Sequence, residues 1–571
     1  MKRLVLLILM LLAGTGWGAN WYVDPLSDAP ADGGDGTTSA TSGANRAEKT
    51  LAAALADALV HVDAAATIYV NGNLDTTDQG AAWALNINAN KSITFAPLAA
   101  SPATSLWTSD ITTHFLTCSA SGTTITFDRI YFLLATTALN QAGLYKVADS
   151  TSSWVFTDCD ITDSSTYFVF YIADGTDADH TITLTNTDIT TACANNGALY
   201  VFDLLNFTMT GGTFSTTGAA PMMQLAGTSE LVKFSGVTFV STSTGAAVRT
   251  NSFTAGTSYV RWLEIDSCTF TDIAGAIFSS DDNLGHFRFT NNTLTSTAVG
   301  TMFHLGSDNV AEGTTDKFYG AYIGSNTFNK TAGATGHLML LGLTCYGALV
   351  ENNVMYQADT NDWGIVDKGT GNVIRNNIVR GGNALYLSGA QNGKYYNNTL
   401  IAYTGGTACY SAGNSEALAP ANCRIWNNIF IGTGGTSGFS LNSVGGSYYH
   451  HDFYVDYNCY FGGSSAPVAL DNINYTVLAT LQAKWDVWTA AQSGFTRSTN
   501  TGNDEHSLLT SPSLRNIAGG DFVPTNNLLL YSGKPDADGR ASYIGALHPK
   551  VGQPFDKNRW RYSGMTLGGH W

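Results

Sequence analysis

A short motif recurs along this chain at irregular intervals. The stretches FTNNTLTS, IGSNTFNK, VENNVMYQ, IRNNIVRG, YYNNTLIA, IWNNIFIG and VDYNCYFG align on Asn292, Asn326, Asn353, Asn377, Asn398, Asn428 and Asn458. Upstream, the same slot holds Cys268, Val237, Gly212, Thr187, Cys159 and Arg129, which makes thirteen units separated by 21 to 34 residues. A chain that repeats on this scale stacks one unit on the next instead of folding around a single centre. The uneven step excludes leucine-rich and WD repeats, whose periods are tighter. It requires a unit whose loops absorb length.

Within each unit the period is two. Three residues before the aligned slot stand Phe234, Ile265, Phe289, Ile323, Val350, Ile374, Tyr395, Ile425 and Val455, a column expected to point inward. One residue before the slot stand Asn291, Ser325, Asn352, Asn376, Asn397 and Asn427. Asparagine tolerates the left-handed conformation that a sharp bend demands. These residues are also expected to face inward, where side-chain amides stacked coil on coil satisfy one another. Another strand recurs upstream of each bend, in stretches such as APMMQLA, GAIFSSD, GTMFHLG, GHLMLLG and NALYLSG. Three short strands per coil predict an all-β, right-handed parallel β-helix solenoid of about thirteen recognisable coils.

The open ends of a solenoid need covers. At the N-terminal end a helix is expected around Thr50 to Val60, with Leu51, Leu55 and Leu59 on one face. At the other end VLATLQAKWDVWTAA places Leu478, Leu481, Trp485 and Trp488 on a helical stripe. Lys2, Arg3, the apolar run Leu4 to Leu12 and the small residues up to Ala19 have the order of a secretory signal peptide. The expected organisation is a signal peptide at 1–18, an N-terminal cap and first strands at 19–100, the β-helix at 101–470, a C-terminal cap and extended segment at 471–550, and an aromatic tail at 551–571. A secreted, cell-surface or periplasmic, monomeric protein with no transmembrane segment follows as the expectation. A net charge of -17 argues against nucleic acid as partner. The eight cysteines form no CxxC. Most are expected as buried thiols in strands, while Cys409 and Cys423 flank one loop and are candidates for a disulfide.

The N-terminal WYVDP, the repeated NN-hydrophobic bends and the C-terminal DEHSL, GDF and IGAL pieces resemble exported right-handed β-helix proteins of the pectin-lyase-like superfamily. The resemblance covers nearly the whole mature chain. It implies the fold. It leaves the chemistry open among polysaccharide lyases, glycoside hydrolases, adhesins and phage tail spikes.

Chemistry on such a solenoid is sought in the outward columns. Two residues before the slot lie Glu351, Arg375, Tyr396, Trp426 and Asp456; four before it lie Arg288, Tyr322, Lys394, Arg424 and Tyr454. Arg375, Lys394, Tyr396, Arg424, Trp426 and Tyr454 are the predicted substrate-binding residues, the cations for carboxylates and the rings for sugars. The opposing reading is cross-strand pairing on a solvated sheet, such as Glu351 with Arg375. On the other strand, Gln224, Arg249, Ser279, His304, Leu340 and Asp367 read as a second outward row. Asp281 and Asp282, followed one coil later by His304, weakly resemble the order in polygalacturonases, but the flanking Gly-His-Gly and Arg-x-Lys are missing. Lys394, Arg375, His304, Asp281 and Asp282 are the candidates for catalysis, and Asp281 with Asp282 for Ca²⁺. Asp28, Asp32 and Asp35 read as a polar loop, and the adjacent His450, His451 and Asp452 do not suit one metal site.

Three readings stand after the sequence. The first is recognition of an extracellular polysaccharide, with β-elimination of uronate-containing chains as its chemistry and Ca²⁺ as the one cofactor considered. The second is a non-catalytic adhesin or structural shaft. The third is a protein like a phage tail spike.

Overall fold

The computed structural model describes the chain between residues 19 and 547, apart from stretches that include 26–36, 40–46, 80–84, 137–141, 147–151, 173–179, 193–198, 251–258, 308–317, 414–419, 444–452 and 484–502. The described residues form a parallel β-solenoid with very little helix. Asp28, Asp32, Asp35, Asp281, Asp282, His450, His451, Asp452, Trp485 and Trp488 all lie outside the described residues. The chain divides into two units, 1–287 and 288–571.

In the first unit, one face of parallel strands starts with Ala19–Val23, Ala65–Val70 and Ser92–Pro97 and runs on through Leu205–Thr210, Thr228–Ser235 and Tyr259–Asp266. A second face follows each bend, as in Ile130–Thr136, Asp160–Asp163 and Asp188–Thr191. A third face carries the small-residue strands, as in Met223–Leu225, Val248–Thr250 and Phe278–Ser280. Alternation is regular here: Thr123–Asp128, Ser152–Thr157 and His180–Thr185 each bury every second residue. The buried residues are aromatic to an unusual degree. Phe95, Phe127 and Phe156 stack in turn with centroids 5.1 Å apart, and Trp107 meets Phe95, Phe127 and Phe132 edge-on. The helix Leu51–Val60 begins at Thr50, whose hydroxyl accepts from the Ala53 N–H, and it buries Leu51, Ala54, Leu55 and Ala58.

The second unit has the same three faces. The first runs through Tyr322–Gly324, Leu349–Glu351, Val373–Arg375, Lys394–Tyr396, Arg424–Trp426 and Tyr454–Asp456. The second ends on Cys459–Phe461 and Leu508–Leu509. The third stops where Val468–Leu470 pairs antiparallel with Ile473–Tyr475. A short helical turn follows at 478–483, with Leu481 fully buried. The segment beyond 503 then returns along the second face. Phe522, Leu529, Ile544 and Ala546 pack on Ile378, Ile401, Ile429, Ile431 and Cys459.

The bends carry both an agreement and a correction. Asn291, Ser325, Asn352, Asn376, Asn397 and Asn427 do take positive φ, between 54° and 60°. Their side chains, however, do not form the inner amide stack. A left-handed residue turns the chain without spending an inward position, so alternation restarts one residue later. The buried column is therefore the aligned asparagines themselves, each at most 1 % exposed from Asn292 to Asn458. From Asn292 to Asn428 each amide nitrogen donates to the side-chain oxygen of the next coil's asparagine, as Asn353 Nδ2 does to Asn377 Oδ1 at 3.0 Å and Asn377 Nδ2 to Asn398 Oδ1 at 3.1 Å. From Asn326 to Asn458 each also donates to a main-chain oxygen one coil back, for example Asn377 to Val350 O at 2.9 Å. The first unit shows a one-residue slip as well. Arg129 itself has φ 54°, so the inward slot of that coil is Ile130.

Two further readings change. Asp367 pairs across from Leu341, not Leu340, and points inward, where it accepts from Tyr395 Oη at 2.6 Å and Asn372 Nδ2 at 2.8 Å. Cys409 and Cys423 are buried free thiols, as are Cys159, Cys268, Cys345 and Cys459. Burial holds the Cys423 thiol up to about 12 and pushes Cys409 higher still.

Candidate functional site

Parallel, in-register strands place like positions of successive coils side by side, about 5 Å apart. On the first face of the second unit this aligns Glu351, Arg375, Tyr396, Trp426 and Asp456 in one row and Lys394, Arg424 and Tyr454 in the next. The outer row is internally paired at its early end. Arg375 Nε donates to Glu351 Oε2 at 2.6 Å and Arg375 Nη1 to Tyr396 Oη at 2.8 Å, while Tyr322 Oη donates to Glu351 Oε1 at 3.0 Å. The Arg375 fork is thus occupied by protein.

The rings stand on edge. Tyr396 and Trp426 stack with centroids 4.4 Å apart and planes 10° apart. The Arg375 guanidinium lies 5.8 Å from the Tyr396 centroid, and Lys534 Nζ lies 5.3 Å from that of Trp426. The flat faces therefore meet each other and two cations, and a ligand approaching from solvent meets ring edges.

Beside this stack opens a cleft of about 750 Å³ lined by Asn392, Lys394, Tyr396, Asn422, Arg424 and Trp426. Asn392 and Asn422 sit at left-handed bends that lead into the strands, with φ 56° and 54°. Lys394 and Arg424 are exposed cross-strand neighbours, and among the described residues neither has an ion-pair partner. Like charges placed side by side on a sheet repel. Here they do so where no carboxylate lines the cleft among the described residues.

At the far end of the strip the C-terminal segment contributes groups that the repeat does not announce. Lys534 Nζ lies 4.4 Å from the Tyr454 centroid, and burial together with the Arg424 charge lowers its pKa. Burial and the neighbouring Asp456 charge raise that of Tyr454. Asp456 is 2 % exposed and accepts the His506 N–H at 2.7 Å, while its other oxygen meets His506 Nδ1 at 2.8 Å. Lys534 and His506 escape a reading of the repeat because they come from outside it. One local signal was available: Tyr457 occupies a bend position held elsewhere in this unit by Asn or Ser.

On the third face His304 lies between Phe303 and Leu305, paired across from Leu340 and far in sequence from the strip. Among the described residues no three His, Cys, Asp or Glu side chains come together as a metal site. No described helix is long and apolar enough to cross a membrane.

No family model matches this chain, and no curated protein matches it. A solved structure, the GH136 lacto-N-biosidase from Eubacterium ramulus in its native form, aligns with 80% of this chain and 65% of its own at 12% identity and a TM-score of 0.21. The chain spans about two thirds of that enzyme's length, and a likeness at this level carries no conclusion about substrate or reaction.

Proposed function

We propose that the protein is exported and recognises an acidic extracellular polysaccharide along the first face of its second unit. The observation that carries this reading is the adjacent, exposed pair Lys394 and Arg424, without ion-pair partners among the described residues, opening on a cleft in a chain of net charge -17. Two like charges side by side in an acidic protein are best offset by an anionic ligand, and uronate carboxylates repeat along a glycan as the coils repeat along the face. Tyr396 and Trp426 supply ring edges and Asn392 and Asn422 amides for the hydroxyl groups. Arg375 holds the row in register through Glu351 and Tyr396.

If the protein is catalytic, β-elimination suits the cleft better than hydrolysis. Glycoside hydrolysis requires a pair of carboxyl groups across the bond, and none lines this cleft among the described residues. Elimination requires cations against the uronate carboxylate and a base for the adjacent proton. A non-catalytic adhesin uses the same binding strip without that base.

Affinity electrophoresis of the purified mature protein against acidic and neutral polysaccharides tests the reading. Retardation by polyuronates that falls at least tenfold in the Lys394→Ala, Arg424→Ala double variant, and that weakens with salt, is the expected outcome. Equal retardation of wild type and variant removes this site from the account.

A further inference from the structure

Tyr457 is the one residue of the second unit's bend column whose side chain does not suit its backbone. Its φ is 57°, and the equivalent residues are Asn291, Ser325, Asn352, Asn376, Asn397 and Asn427. A bulky residue held in the left-handed region is strained, and such strain concentrates where function requires it. The Tyr457 ring serves a purpose that an asparagine cannot. It lies flat against the His506 imidazole, with centroids 4.5 Å apart and planes 3° apart. The other restraints on that imidazole come from Asp456, which takes both the His506 main-chain N–H and Nδ1. A buried carboxylate on Nδ1 fixes the tautomer and leaves Nε2 as the basic nitrogen. The His506 side chain stays half exposed while its Asp456 partner is 3 % exposed. Asp456 is also the cross-strand neighbour of Trp426, and Lys534 and Arg424 lie alongside.

We propose that His506, oriented by Asp456 and backed by Tyr457, is the catalytic base of a β-elimination at the C-terminal end of the glycan strip. This rests on the acidic-polysaccharide reading above. In the step, His506 Nε2 takes the proton from the sugar carbon that bears the carboxylate. The electron pair of that C–H bond becomes the ring double bond, and the bond from the adjacent carbon to the glycosidic oxygen breaks. The departing oxygen is protonated by water, and the imidazolium returns its proton to the resulting hydroxide. No oxidant, reductant or net water is consumed. Arg424 and Lys534 neutralise the carboxylate as charge develops on it. The titratable and charged groups around the imidazole are Asp456, Tyr457 and Glu505, with Tyr454, Lys534 and Arg424 beyond Asp456.

The test measures ultraviolet absorbance of unsaturated product from polyuronates, with affinity electrophoresis run on the same samples. The expected result is that His506→Ala loses at least a hundredfold in turnover, binds the glycan as wild type does, and regains activity with added imidazole. Tyr457→Asn is expected to be at least as stable as wild type yet several-fold slower. Asp456→Asn is expected to lose most of the turnover while still binding the glycan, because the amide no longer holds the imidazole tautomer that leaves Nε2 as the acceptor. Binding without elimination in wild type, or elimination that survives His506→Ala, overturns the assignment while leaving the binding site intact. Absence of glycan binding removes the strip and the base together.

Discussion

The two units solve the same packing problem with different chemistry. The slot that follows each bend must face inward, close to the main chain of the coil before. In the second unit seven asparagines fill it and bond to one another. In the first unit the slot holds Cys159, Thr187, Gly212, Val237 and Cys268, which do not form a ladder. Cys159 and Thr187 still reach the same main-chain acceptor, the oxygens of Phe127 and Phe156, at 3.4 and 3.3 Å. At Gly212 a Cβ would come within 2.2 Å of the Thr187 oxygen, so the coil closes there only because the side chain is missing. What the first unit lacks in amide pairing it replaces with aromatic area, the Phe95–Phe127–Phe156 stack and Trp107. A polar spine and an apolar one are thus alternative ways of holding the same coil. The polar one punishes a lost partner more severely, because each buried amide left behind is unsatisfied.

The largest expected effect is in the ladder. Asn377→Leu strips acceptors from the Asn353 N and Nδ2 groups and a donor from Val350 O. At about 1–3 kcal/mol for each orphaned group, a loss of about 5 kcal/mol is expected in urea unfolding of the second unit. Phe127→Ala is the matching test of the apolar spine, with about 4 kcal/mol expected from lost burial and the cavity left behind. If Asn377→Leu costs less than Phe127→Ala, the polar spine is the more forgiving one and the comparison is reversed.

Alkaline pH weakens both units. Cys159 and Cys268 in the first, and Cys423 and Cys459 in the second, are each raised from 9.0 to about 12, burial being the first cause. The folded protein therefore holds more protons than the unfolded chain between those values. Stability is full below pH 9 and falls as pH rises toward 12. Urea midpoints at pH 7 and pH 10.5 check this, with a flat profile as the contrary outcome. The smallest effect belongs to Thr187→Val, which removes one hydroxyl bonded to the Phe156 and Thr185 oxygens. About 1 kcal/mol is expected. A loss as large as that of Asn377→Leu would erase the distinction between the two spines.

Much of the fold was legible because alternation is a local property. Ile323, Val350, Ile374 and Ile425 announce an inward column from sequence alone, and all four are fully buried. The amide stack was misplaced by one residue because a left-handed bend shifts the phase of alternation, and composition does not report phase. Asp367 slipped for a related reason: in WGIVD the strand is apolar on both sides of the chain, so no pattern fixes which face it presents. The strip of Lys394, Tyr396, Arg424 and Trp426 could be placed side by side because neighbouring coils are in register. Its ring orientation could not, since that depends on Lys534, more than a hundred residues later. His506 was hidden in the same way, by a segment that returns from outside the repeat.

The asparagine row has a sense of direction. From Asn292 to Asn428 each amide passes one hydrogen to the coil that follows, and from Asn326 onward each amide oxygen is filled by the coil before. Asn458 has no asparagine ahead of it; its main-chain N–H goes to the Ser507 hydroxyl at 3.0 Å. In polymer terms each coil is a monomer that hands a live end to its successor, and Ser507 is the terminator. A hydroxyl accepts what the row offers but has no amide to pass on. A chain cut before Asn503 would keep that end live, and the partner it then found would be another molecule's coil.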